Sequence, residues 1–121
     1  MLSKIGQIAV NVHDMPRATA FYRDVLGLTF LFAAPNLTFF DAGGTWLMLS
    51  RAEQAEFDHP SSILYFEVDD ITGVHAALEA KGVQFRTTPH AVHREAGREL
   101  WLADFLDGEG NTFCLRSWLA V

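Results

Sequence analysis

One cysteine and two lysines are all that 121 residues supply of those types. A lone thiol, Cys114, excludes an internal disulfide and any multi-thiolate metal site within one chain. The basic side chains are few and scattered, and the net charge is −6. Nucleic-acid binding needs clustered Lys and Arg, so that class of partner is excluded. No apolar run approaches the roughly 20 residues of a membrane span, and no basic stretch followed by an apolar one opens the chain. These absences lead to the expectation of one soluble, cytoplasmic, acidic domain over residues 1–121, with neither membrane nor nucleic acid as a partner. Hydrophobic residues make up 50% of the chain, enough to build a core.

The chain repeats itself. Ile8-Ala9-Val10-Asn11-Val12-His13-Asp14 is echoed 56 residues later by Leu64-Tyr65-Phe66-Glu67-Val68-Asp69-Asp70. Gly27-Leu28 is echoed by Gly82-Val83, and Phe39 to Gly44 by Phe105 to Gly110, now 66 residues on. The growing offset places an insertion in the second copy at about residues 88–98. Two modules follow, at about residues 5–50 and 62–118.

Each module reads as strand, helix and three strands. Asp14 and Asp70 stand where helix caps belong, and Pro16 is tolerated in a first turn. Ala18, Phe21, Tyr22, Val25 and Leu26 form an amphipathic stripe that Gly27 ends, and Ile71, Val74 and Leu78 repeat it before Gly82. Strands are predicted at Thr29–Ala34, Leu37–Ala42 and Thr45–Ser50, then at 83–88, 99–106 and 112–118. Residues 54–61 read as the linker.

The segment Ala20-Phe21-Tyr22-Arg23-Asp24-Val25-Leu26-Gly27-Leu28 resembles the "FY…vLG" helix end of the vicinal oxygen chelate superfamily. Asp107-Gly108-Glu109-Gly110-Asn111 resembles its "DPDGN" turn, with Gly108 where proline is usual. That group includes glyoxalase I, bleomycin-resistance proteins and extradiol dioxygenases. The resemblance runs from about Ile5 to Trp118. It implies an α+β fold of two βαβββ modules, forming a curved mixed sheet around a groove.

In metal-dependent members of that family, four ligands come from the first and fourth strands of each module and hold a divalent ion. Those positions fall on Gln7, Met48, Ile63 and Cys114. Gln is an acceptable oxygen donor, but Met and Ile are not ligands for such an ion, and a lone Cys does not replace them. A shift of one residue offers only apolar side chains and Ser62. The expectation is that the metal site is lost and no cofactor is used.

His90 and His93, spaced H-x-x-H, fall in the insertion. On a loop that spacing fixes no geometry, so they read as solvated or ligand-contacting, with an alternative metal pair left open. His13 reads as a turn residue, His59 as part of the linker, and His75 as a helix residue.

Strand alternation places Gln7, Ala9 and Asn11 on one face. The same parity selects Trp46, Met48 and Ser50, then Ile63, Tyr65 and Glu67, then Thr112, Cys114 and Arg116. Trp101 and Phe105 lie close enough in the pattern to join either this wall or a core. Two readings stand for these residues: a ligand wall or a small core. On the first, the ligand-binding candidates are Gln7, Asn11, Trp46, Met48, Ser50, Ile63, Tyr65, Glu67, Trp101, Cys114 and Arg116. Glu67 is the one weak candidate for a general base.

The preferred expectation is a metal-independent binder of a small organic ligand, of the bleomycin-resistance type, that sequesters rather than transforms. The alternative is a glyoxalase-like lyase, isomerase or dioxygenase with a displaced or absent metal site. The resemblance also implies a homodimer, with Gln7 and Met48 of one chain facing Ile63 and Cys114 of the other.

Overall fold

Both helix caps form as the sequence predicts. Asp14 accepts a hydrogen bond from the Arg17 amide at 3.1 Å, and Asp70 accepts one from the Gly73 amide at 3.0 Å. The computed structural model, which describes residues 1–121, divides into two units. One comprises Met1–Ser61 with Gly108–Asn111, and the other Ser62–Asp107 with Thr112–Val121.

The first unit runs β1 (Gln7–Asn11), α1 (Met15–Ala20), β2 (Thr29–Ala34), β3 (Leu37–Ala42) and β4 (Thr45–Ser50). Its sheet has the order β1-β4-β3-β2, with β1 parallel to β4 and the other pairs antiparallel. The helix α1 continues into a π-helical turn, Phe21–Val25, closed by the Leu26 amide donating to the Phe21 carbonyl. One sheet face packs on this helix: Val10, Leu47, Leu49 and Phe40 are buried, as are Ala18 and Tyr22. The opposite face is uncovered by any helix of the unit.

The second unit repeats the plan with β5 (Tyr65–Glu67), α2 (Ile71–Ala80), β6 (His90–Glu95), β7 (Arg98–Leu106) and β8 (Thr112–Ala120). Its strand order, β5-β8-β7-β6, is that of the first sheet. Ile71, Leu78, Ala103, Phe105, Phe113 and Leu115 are buried on its helix side.

The second strand of this unit is not where the periodicity puts it. Residues 83–88 make a single bridge, Phe85 to Phe105, and the full strand lies in the stretch read as an insertion. Pro89 follows that bridge and has no amide to continue a ladder. The two-residue turn Ala96-Gly97, with φ of 48° and 74°, then folds β6 onto β7 as a tight hairpin. His90 and His93 therefore stand on a strand rather than a loop.

Each unit carries a bulge in its edge strand. Phe30 pairs with Phe40 and Phe32 with Phe39, so Leu31 is the extra residue. Ala91 pairs with Trp101 and His93 with Leu100, so Val92 is the extra residue in the second unit. The bulge shifts the alternation by one, sending Phe30 toward the helix side and Phe32 to the open side. The ring contacts agree: Phe30 meets Phe40, and Phe32 stacks on Phe39 at 4.4 Å.

No helix is long and apolar enough to cross a membrane.

Candidate functional site

The parity read from the sequence is realised on the open face of the first unit. Gln7, Ala9 and Asn11 pair with Trp46, Met48 and Ser50, and these pair in turn with Asp41, Phe39 and Leu37. One end of the face is aromatic. Trp46 meets the rings of Phe32 and Phe39 edge-on, each at 5.6 Å, and remains 40% exposed. Gln7 Nε2 donates to the Met48 sulfur at 3.4 Å.

At the other end of the face lies a cavity of about 430 Å³. Ala9, Asn11, Leu37 and Ser50 line it from the sheet. Pro35 and Asn36 of the β2–β3 turn, and residues of the 51–61 segment including Phe57 and His59, line it from outside. A short 3₁₀ turn, Ala55–Phe57, sits within that segment, so the linker of the sequence reading is a cavity wall.

Polar anchors hold this end of the unit. Asp58 Oδ1 accepts from Asn11 Nδ2 at 3.0 Å and meets His13 Nε2 at 2.7 Å. The Asn11 bond, and then the His13 bond, hold the Asp58 carboxyl below its ordinary value. Glu109 is more deeply set. Its side chain accepts from the His13 and Asp14 amides and from Arg17 Nη2 at 2.6 Å. Burial pushes its carboxyl up, but these donors outweigh that effect and hold it below the usual range. Asn111, fully buried, donates to the Asn11 carbonyl and accepts from the Ser61 amide, each at 2.8 Å. Sequence reasoning treated Asp107 to Asn111 only as a turn signature. The hint it offered was an acid held between Gly108 and Gly110, two positions with positive φ.

The open face of the second unit has a different character. Glu67 is bound to Arg116 Nη1 at 2.5 Å. Glu67 stands here as the ion-pair partner of Arg116. The Arg98 guanidinium lies over the Trp118 ring at 3.7 Å, a cation–π contact that the sequence reading missed. Tyr65 and Ile63 are exposed. Cys114 is fully buried beside Asp104, and its thiol is pushed up to about 12 by burial and then by that carboxylate. It is a neutral thiol at pH 7, without nucleophilic character.

Trp101 falls on the other side of this sheet. It pairs with Ser117, shares the parity of Ala103 and Phe105, and donates its indole N–H to Glu99 at 3.3 Å. Phe105 is buried in the same layer. Neither belongs with Tyr65, Cys114 and Arg116. The assignment failed for Trp101 because a parity count needs a fixed strand register, and the sequence leaves that register open.

The donor set at the family's ligand positions does not fit a hard divalent ion. Gln7 offers one amide oxygen, Met48 offers only sulfur, Ile63 offers nothing and Cys114 is a buried neutral thiol. His90 Nδ1 turns to the Thr88 carbonyl at 2.8 Å, and His93 Nε2 lies 3.4 Å from Glu95. Those two histidines have separate partners. No group of three His, Cys, Asp or Glu side chains gathers in ligand geometry.

The family model described as "Glyoxalase/Bleomycin resistance protein/Dioxygenase superfamily" matches residues 4–115. A metallothiol transferase, FosB of Staphylococcus haemolyticus, is 27% identical over 73 residues, covering 58% of this chain and 52% of FosB. The chain thus matches about half the length of that relative. A superfamily member from Sphaerobacter thermophilus superposes with a TM-score of 0.80 at 21% identity, covering 96% of this chain and 98% of its own. The fosfomycin resistance protein FosX of Listeria monocytogenes gives 0.74 at 18% identity, with 97% and 92% covered.

Proposed function

Because the chain belongs to the glyoxalase/bleomycin resistance protein/dioxygenase superfamily, we propose that it binds a small organic ligand on the open face of its first unit, without a divalent metal. It sequesters this ligand rather than transforming it. The observation that carries the reading is one continuous face with a 430 Å³ cavity at one end and the exposed Trp46 ring at the other. A cavity of that size suits a drug-sized molecule, with Asn11 and Ser50 as directional contacts and the indole as a stacking surface. The donor set, with one amide oxygen and no paired carboxylate or imidazole, supports metal independence. The net charge of −6 favours a cationic ligand at low salt. We place the protein in the cytoplasm, where a free thiol such as Cys114 stays reduced.

The ligand face is completed in a homodimer, with Gln7 and Met48 of one chain facing Ile63 and Cys114 of the other. Sedimentation equilibrium at micromolar concentration should give twice 13.5 kDa, and a monomer mass would remove this part of the proposal.

Similarity to a protein named a metallothiol transferase favours a second reading, an enzyme of the same fold. Metal analysis separates the two. Protein purified without chelator and dialysed against Ni²⁺, Mn²⁺ or Fe²⁺ should retain well under one equivalent. Stoichiometric retention that falls on Gln7→Ala would overturn metal independence and favour the enzyme.

A further inference from the structure

We propose that residues 51–61 form a strap closed over the cavity by the Asp58 carboxylate, and that release at this side chain admits and frees the ligand. The ligand half of this statement rests on the function proposed above, whereas the strap itself opens or stays closed whatever the cavity holds.

The strap is fixed at its ends. The Arg51 amide donates to the Asn36 carbonyl at 3.2 Å, and the Ser61 amide donates to Asn111 at 2.8 Å. Between them the chain buries nothing: every residue from Glu53 to Pro60 is exposed, and Phe57 is 58% exposed. Apolar packing therefore does not hold the middle down. Asp58 does, through Asn11 at 3.0 Å and His13 at 2.7 Å. No other side chain from Gln54 to Pro60 hydrogen-bonds outside the strap; His59 turns to its neighbour Pro60.

The closed state also carries a cost. Asn11 gives its amide N–H to Asp58, and its Oδ1 is left buried without a donor. An unsatisfied buried acceptor is unfavourable, and opening lets water reach it. Asp58 and His13 are both about half exposed, so salt and water compete for their bond. A segment with little burial, held by exposed polar contacts and opposed by one orphaned acceptor, belongs to the low-stability end of a fold. Asn11 lines the cavity as well as forming the latch, so opening the strap alters the cavity wall directly.

Chymotrypsin reads the strap without a ligand, because Phe57 is its one large apolar residue. Cleavage there needs about ten residues around Phe57 to open, a stretch that lies within the strap and includes Asp58. Asp58→Ala should speed cleavage after Phe57 about tenfold, while the thermal midpoint moves by no more than about 3 °C. Asn11→Asp, which sets a second carboxylate against Asp58, should do the same. Combining Asn11→Asp with Asp58→Asn exchanges donor and acceptor and should restore slow cleavage. Stopped-flow binding of auramine O, a cationic aromatic dye that fluoresces when bound, then tests access: Asp58→Ala should raise its association and dissociation rates together. Unchanged cleavage in Asp58→Ala, or no rescue by the exchanged pair, overturns the latch. Faster cleavage with unchanged probe kinetics overturns the gate. A wild-type chain that binds no probe, with cleavage still responding to Asp58, supports the latch and removes the function proposed above instead.

Discussion

The two units share strand order, helix placement and even the edge-strand bulge, yet their open faces have diverged. In the first, Trp46, Phe39, Phe32 and Met48 leave an apolar surface beside a cavity. In the second, the matching surface is tied up in charge: Glu67 holds Arg116, and Arg98 covers Trp118. The helix-side faces differ much less, with aliphatic and phenyl side chains on both sheets. The contrast teaches that the repeat conserves what builds the sheet and frees what faces away from the helix. Shared topology alone thus says little about chemistry.

The comparison breaks most visibly if the helix-side faces are not equivalent. Phe40→Ala and Phe105→Ala both remove fully buried rings, and each should cost about 3–5 kcal/mol in denaturant unfolding. A loss under about 1 kcal/mol for either would show that its sheet does not depend on that layer.

The turn between β7 and β8 sharpens the comparison next, because its first-unit counterpart is only Gly43-Gly44. Glu109→Ala removes the acceptor for two backbone amides and Arg17, and should cost about 2–3 kcal/mol. The folded-state pKa of Glu109 is depressed, so its contribution is complete above the ordinary carboxylate value and disappears as pH falls through the folded one. The variant should therefore lose part of the acid limb of the stability curve. An unaltered limb would contradict the assigned role.

Tryptophan substitutions probe the two sides of a sheet. Trp46→Ala should weaken ligand binding by about 1–3 kcal/mol, roughly 5- to 150-fold, with a melt close to that of the parent. Trp101→Ala, on the helix side, should lower the melt and leave affinity unchanged. A reversal of these outcomes would exchange the two assignments. The smallest effect belongs to Glu67→Gln: this pair is partly exposed, so its loss should change stability by no more than about 1 kcal/mol.

The first unit was largely legible in the sequence, because its three later strands are apolar and separated by clear turn signals. All three were predicted with the bounds observed, and so was the face carrying Gln7, Asn11, Trp46, Met48 and Ser50. The strand β6 was not. His90 to Glu95 is an exposed edge with one valine, and an edge open on both faces needs no apolar alternation. Glu109 and Asp58 were invisible for a related reason. An acid in a turn or linker reads as solvated, and only the fold brings amide donors to it. Trp101 fell on the helix side instead because register, set by the Ala96-Gly97 turn, lies outside any count made along one strand.

Amide chemical-shift mapping by nuclear magnetic resonance tests the central claim, that the first unit's open face is the one that takes ligand. Titrating the ¹⁵N-labelled protein with a mixture of small aromatic amines should shift signals from β1, β4 and residues 51–61. Signals from β5 and the Arg98–Trp118 region should stay in place. Shifts confined to β5, β7 and β8, with β1 and β4 unmoved, would contradict the account.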